Sequence, residues 1–389
     1  MTDTRQEHTS SARPRTPISS RTAFLLRQEW PLAVNVATTV LFILFGTCWL
    51  GDLSHPLWFG LMLGWLFGVM LFSALSIVRH AEHLASQLGE PLGTLILTLS
   101  VTGMEVMMIT AMMYTGLENS SLARDAMFAT VMVVLNGMVG LSLLLGGMRY
   151  HEQTYNLQGA NAFLAVIVPL AVLGLVMPAF TISTPGPTFS PLQAAFLVVM
   201  SLGLYGVFLA IQNLKHRDYF MMPNAVESGE RTTSKETEKD SLLFHTLLLI
   251  AYLLPLVILS KQLAVPINHG IHVLRAPATL GGLLVAILIL FPESLGAARA
   301  ALANQLQRSV NILLGSVLAT ISLTIPAVLI IGLTTGTTIV LGLDPVDRTL
   351  LLLTFAVSMM TFSIKRTNVL LGAVHLLLFL AYLMLIFEK

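Results

Sequence analysis

Charge is what this 389-residue chain has least of. Asp, Glu, Lys and Arg make up 11% of it, against about 25% in an ordinary soluble domain. With 21 basic and 20 acidic side chains, a soluble surface of this size cannot be covered. The net charge of +1 gives no bulk attraction to nucleic acid. Cysteine is nearly absent: Cys48 stands alone, so no intrachain disulfide exists and no Cys/His cluster has transition-metal spacing. Catalytic motifs are missing too. The nearest approach to His-Glu-x-x-His is His80-Ala-Glu-His83, which lacks the i, i+4 pair. No serine nucleophile motif is evident, and the chain does not read as an enzyme. What it has instead is apolar residues, 55% of the total, and a mean hydropathy of +0.80. It reads as an all-α integral membrane protein.

The apolar runs fall near 31–50, 56–78, 91–115, 125–147, 161–181, 191–214, 242–260, 275–302, 309–332, 346–364 and 367–386. Each is close to the ~20 residues that cross a hydrocarbon core. That makes about eleven transmembrane helices. The break near 333–345, where Thr334-Thr335-Gly336 precedes a short apolar stretch, is the least sharply marked. Residues 1–27 are polar and carry five Arg. They read as a disordered tail rather than a cleaved signal, because the apolar run starts late and is long enough to be retained.

Charge placement tests the count. With the N-terminus in the cytoplasm, sixteen of the 21 basic residues fall in cytoplasmic segments and five in outer ones, as the positive-inside rule requires. An odd number of spans then puts the C-terminus outside. The longest polar interruption, 215–241, divides the chain. The expected organisation is a leading helix at 28–52, five helices at 53–214, a cytoplasmic linker at 215–241, and five more helices at 242–389. Two five-helix units joined this way enter the bilayer in opposite orientations. That is the inverted-repeat plan of secondary transporters.

Of the 20 acidic residues, only Glu105 and Glu293 lie well inside a span. A carboxylate at that depth costs at least a few kcal/mol and marks a function. Their placement matches: each is twelve residues after a glycine, Gly93 or Gly281, and each lies in the second helix of its unit. Thr94, Thr98, Thr102 and Glu105 form one helical stripe. Pro292 donates no hydrogen bond and disturbs the carbonyl of Leu288, a candidate backbone ligand. Two carboxylates with hydroxyl and carbonyl oxygens suit a hard cation such as Ca2+ or Na+. Protons and a cation would compete for the same oxygens, which is enough for exchange.

The stretch Gly89-Glu-Pro-Leu-Gly-Thr-Leu-Ile-Leu-Thr-Leu-Ser-Val-Thr102, followed by Glu105, resembles the first repeat of bacterial ChaA-type calcium/proton antiporters. These belong to the cation/Ca2+ exchanger superfamily. Pro292-Glu-Ser-Leu-Gly-Ala-Ala-Arg299 and Asn311-Ile-Leu-Leu-Gly-Ser-Val-Leu-Ala-Thr320 resemble the second repeat. The resemblance implies a proton-coupled antiporter of the bacterial inner membrane, with repeats meeting at mid-bilayer. It implies ion binding and proton carrying at Glu105 and Glu293, with Asn136, Ser316 and Thr320 as supporting ligands. It implies no cofactor; the partners are inorganic cations, protons and membrane lipid. Ca2+ export is the leading reading and Na+(K+)/H+ exchange the alternative. A cation channel is less favoured, since no repeated filter-like loop is present. The vacuolar-type exchangers carry Gly-Asn-x-x-Glu in each repeat. Here Val101-Thr-Gly-Met precedes Glu105 and Ile289-Leu-Phe-Pro precedes Glu293, which leaves selectivity open.

Two further features stand out. His80, Glu82, His83 and Glu90 gather on the cytoplasmic side just before span three, as a pH sensor, an ion entrance or a plain solvated helix end. His269 and His272 pose the same choice on the outer side. Gly60, Gly64 and Gly68, at four-residue spacing, are expected to mark close helix packing.

Overall fold

The computed structural model describes residues 29–89, 92–113, 120–221 and 242–388. A backbone in lipid must satisfy its own hydrogen bonds, and helices do this within one segment. Eleven helices follow: α1 Trp30–Trp49, α2 Pro56–Leu88, α3 Leu92–Met113, α4 Leu122–Tyr150, α5 Leu157–Ala179 and α6 Pro191–Asn213 lead. After the linker come α7 Leu242–Val273, α8 Thr279–Leu302, α9 Leu306–Thr335, α10 Pro345–Thr361 and α11 Val369–Phe387. Among the described residues ten are long and apolar enough to cross a bilayer. The eleventh, α10, has 17 residues, about 26 Å at ~1.5 Å per residue. That is the short end of what a ~30 Å core accepts. The chain is a multi-pass, all-α membrane protein: a leading helix and two groups of five.

The packing repeats with the two groups exchanged. The leading helices α2 and α7 pack on each other. The contact of α4 with α8 has its counterpart in α3 with α9. The contact of α4 with α11 is matched by α9 with α6. The two most buried spans, α4 and α9, are counterparts as well. Both contain a π-helical turn, at Val133–Met138 and at Thr320–Thr324. Such turns insert a residue into the helix and re-aim the side chains that follow.

Close approach of backbones occurs where small residues face neighbouring helices. A Cβ on Gly140 would lie 3.0 Å from the Gly372 carbonyl oxygen, so α4 and α11 meet nearly backbone to backbone. On Gly282 of α8 it would lie 2.6 Å from the Asp125 backbone of α4. Gly60, Gly64 and Gly68 do not behave as their spacing suggested. No atom lies within 4 Å of where their Cβ would be, so they face away from the bundle. The four-residue repeat marks a smooth face, and nothing among the described residues packs on it.

Two other expectations change. Helices α2 and α7 run about ten residues past the ends of their apolar runs. The Arg79-His83 motif therefore lies on α2, and His269 and His272 lie on α7, where His269 packs 5.4 Å from Phe59. The linker also begins with order. Residues Arg217–Phe220 form a 3-10 turn, and the Phe220 ring packs 5.5 Å from Phe163 and 5.7 Å from Phe208.

The ends of the bundle are closed differently. On the face richest in Lys and Arg, Gln153–Thr154 pairs antiparallel with Arg366–Thr367. This ties the α4–α5 turn to the α10–α11 turn. Beside it the Tyr155 hydroxyl donates to the carbonyls of Ile364 at 2.6 Å and Thr361 at 3.2 Å. Burial pushes this phenol well above its ordinary pKa. On the opposite face α9 stops at Gly336, whose φ of 70° turns the chain back. The extended residues that follow lie across the helix ends: Leu343 N–H donates to Leu175 at 2.8 Å and Val340 N–H to Ser120 at 3.1 Å. The Asp52 carboxyl, in the α1–α2 loop on that face, is held low by the Ser54 hydrogen bonds.

Candidate ion site

The two membrane-depth glutamates, on α3 and α8, line one cavity of about 290 Å3 between α2, α3, α5, α6, α8 and α9. Counterpart helices therefore deliver counterpart carboxylates to the same space. Helix α8 continues through Pro292 without a break. The missing N–H at Pro292 leaves the helix regular enough to aim Glu293 inward.

Glu105 is 3% exposed. Its Oε2 accepts a hydrogen bond from the Thr320 hydroxyl at 3.0 Å, across from the π turn of α9. Its Oε1 has no hydrogen-bond partner among the described residues. The same holds for the Thr102 hydroxyl one turn earlier and for Glu293 Oε2. A buried polar atom left unpaired costs about 1–3 kcal/mol. Several such oxygens around one cavity form a donor set matched to a hard cation, which would be cargo here. Among the described residues no group of three His, Cys, Asp or Glu is arranged to hold a metal ion. Hydroxyl oxygens would have to complete the shell of the two carboxylates.

The other expected residues divide. Thr98, Thr102, Ser316 and Thr320 line the cavity with the two glutamates. Asn136 does not. It is fully buried elsewhere, donating to the Thr354 hydroxyl at 2.8 Å and lying 3.3 Å from His375 Nδ1. The His375 Nε2 is 3.0 Å from the Thr361 hydroxyl. This polar knot ties the π turn of α4 to α10 and α11. Leu288 is buried and is not among the lining residues. Glu90 and the side chain of Thr94 lie outside the described residues, as do residues 1–27 of the expected tail and 222–241 of the linker.

The Arg79-His83 motif is split by the helix it lies on. Glu82 lines the cavity. His80 and His83 turn to α7: His80 Nδ1 is 3.0 Å from His245 Nδ1, and the His83 ring stacks on His245 at 4.8 Å. Arg79 Nη2 donates to both oxygens of Glu29, at 2.8 and 3.0 Å. Tyr252 donates to the same carboxylate at 2.8 Å. Sequence reasoning did not single out Glu29 or Tyr205. Glu29 sits at the edge of a polar tail, and Tyr205 of α6 lines the cavity from within an otherwise apolar span. Only the fold brings either to a functional neighbourhood.

A membrane bundle of two matched halves, each supplying a buried carboxylate to a shared cavity, has the plan of a secondary transporter. The sodium/calcium exchanger protein family model matches residues 57–214 and 244–388, and the chain belongs to that family. It is 40% identical over 353 residues to the sodium-potassium/proton antiporter ChaA of Escherichia coli strain K12, covering 90% of this chain and 94% of that one. It is 23% identical over 299 residues to a Ca2+/H+ antiporter of Aphanothece halophytica, covering 72% of this chain and 79% of that one. The fold is similar to that of native YfkE, with a TM-score of 0.69 at 17% identity over 92% of this chain and all of that one. The family is one of cation transporters, not of catalytic enzymes.

Proposed function

We propose that the chain exchanges protons for a cation by alternating access at Glu105 and Glu293, exporting Ca2+. The observation that carries this reading is the pair itself: two membrane-depth carboxylates, from counterpart helices, on one cavity. Bound cation and bound protons each neutralise the pair, so the site crosses the bilayer loaded with one or the other. Thr320 holds Glu105 in place when no cation does. Its hydroxyl can then turn a lone pair toward an incoming ion. Thr98, Thr102 and Ser316 offer further oxygens. The Na+(K+)/H+ reading is favoured by one specific finding, the 40% identity to a sodium-potassium/proton antiporter.

The working membrane is the bacterial inner membrane. The basic face is cytoplasmic, the N-terminus lies inside and the C-terminus outside. The repeat units are 53–214 and 242–389. The test is proton flux in proteoliposomes driven by Ca2+, Na+ or K+ in turn. Glu105→Gln and Glu293→Gln should each lower exchange at least about hundredfold, since each removes one of two ionisable ligands. Normal exchange rates in either variant would sink the two-glutamate mechanism. The ion that moves protons in the unaltered protein decides between the two readings.

A further inference from the structure

Glu82 stands where the cavity meets solvent. It is exposed, yet it lines the same space as Glu105 and Glu293. Gln212 of α6 and Asn311 of α9 line that space too, from near the basic-face ends of their helices. Deeper in, the cavity ends at side chains that are nine-tenths or more buried and unpaired: the Thr102 hydroxyl and Glu105 Oε1. Glu82 and Glu293 line the same space from α2 and α8.

Among the described residues no cation compensates the charge of Glu82. Arg79, one turn before Glu82 on α2, is the natural helical partner. It is instead turned to Glu29, which grips it with both oxygens. The neighbouring His80 and His83 face α7 through His245. Among the described residues Glu82 has no ion pair. Helix α2 thus sorts its charges. One face is neutralised against α1 and α7, and the other presents a carboxylate with no ion pair among the described residues to the cavity mouth.

We propose that Glu82 is the entry carboxylate of the transport path on the basic face, gathering cations at the mouth and passing them toward Glu293 and Glu105. It does not hold the ion through the bilayer crossing, and it sets apparent affinity rather than maximal rate. This rests on the exchange mechanism above. A fixed charge at a narrow mouth raises the local cation concentration by a Boltzmann factor. That factor is squared for a divalent ion. A roughly threefold enrichment of Na+ implies about ninefold for Ca2+. Added inert salt screens both, since the Debye length falls from ~10 Å at 0.1 M to ~3 Å at 1 M.

The experiment uses the full chain in vesicles of one orientation, with the basic face outward, and choline chloride as inert salt. Glu82→Gln should raise the half-saturating Ca2+ concentration about three- to tenfold at low salt, and that for Na+ by about the square root of that factor. Maximal rates should stay within about twofold, and 1 M choline chloride should remove most of the difference. Glu82→Asp, which keeps the charge, should retain near-normal affinity. An unchanged half-saturation would overturn the proposal. So would an equal, salt-independent change for both ions, or one shared by Glu82→Asp. If Glu105→Gln proteins still exchanged normally, the two-glutamate reading would fail. The charge-squared, salt-sensitive signature of Glu82 would still be readable in whatever ion crosses.

Discussion

The two halves of this transporter carry matching carboxylates in unmatched surroundings. Glu105 is sealed by the bundle and held by Thr320 of the opposite half. Glu293 follows a proline, has no such threonine partner among the described residues, leaves part of its side chain accessible, and shares the cavity with Glu82. The difference extends to the helices that come next. Thr320, on the π turn of α9, reaches across to the first-half glutamate. Asn136, on the π turn of α4, turns away to Thr354 and His375. Matched sequences in opposed halves can serve one site only if they take different positions at any moment. In the proposed mechanism, alternating access exchanges these two environments.

The comparison can be broken at its strongest link. Thr320→Ala removes a hydrogen bond to a charged acceptor, about 1.5–3 kcal/mol. It should weaken apparent cation affinity by about tenfold or more in the proton-flux assay, with Thr320→Ser largely restoring it. If Thr320→Ala were neutral, the cross-half contact would have no part in holding Glu105. A subtler test concerns its counterpart. Asn136→Ala leaves Thr354 and His375 short of a buried partner, a cost of about 1–3 kcal/mol. Thermal unfolding in detergent should reveal the loss, while cation affinity stays within about twofold. A large affinity change would mean that Asn136 contributes to the site after the halves exchange roles. The smallest effect is expected at Gly64, whose Cβ position is open. Gly64→Ala should leave both stability and exchange unchanged. A measurable loss would restore the packing role that the four-residue spacing suggested.

Much of the fold could be read directly. Lipid forbids unpaired backbone, so each apolar run had to become a helix, and the runs were long enough to be counted. Helix ends were less legible where apolar character stopped before helicity did. Helix α2 carries Arg79 and Glu82 beyond its apolar run, because the charges find partners or solvent there. The linker showed the reverse. The segment read as a polar linker, 215–241, carries near its start Phe220, which packs on two other rings. The site was legible in its charges and less so in its neutral ligands. Glu105 and Glu293 announce themselves because carboxylates are costly in a bilayer. Threonine and asparagine are cheap enough to sit anywhere. Thr320 and Asn136 therefore looked alike, although only Thr320 reaches the cavity.

The sequence by itself determined that the chain spans the membrane many times, that its basic residues gather on one face, and that two glutamates break the ban on buried charge. These follow from transfer energies, which belong to residues one at a time. The tertiary structure decided which oxygens share a cavity and which glutamate is held by a threonine of the opposite half. It also decided that Glu82 parts company with its neighbours Arg79, His80 and His83. Those outcomes depend on which helix faces which, and on π turns that rotate a side chain by a fraction of a turn. No single residue's transfer energy encodes them.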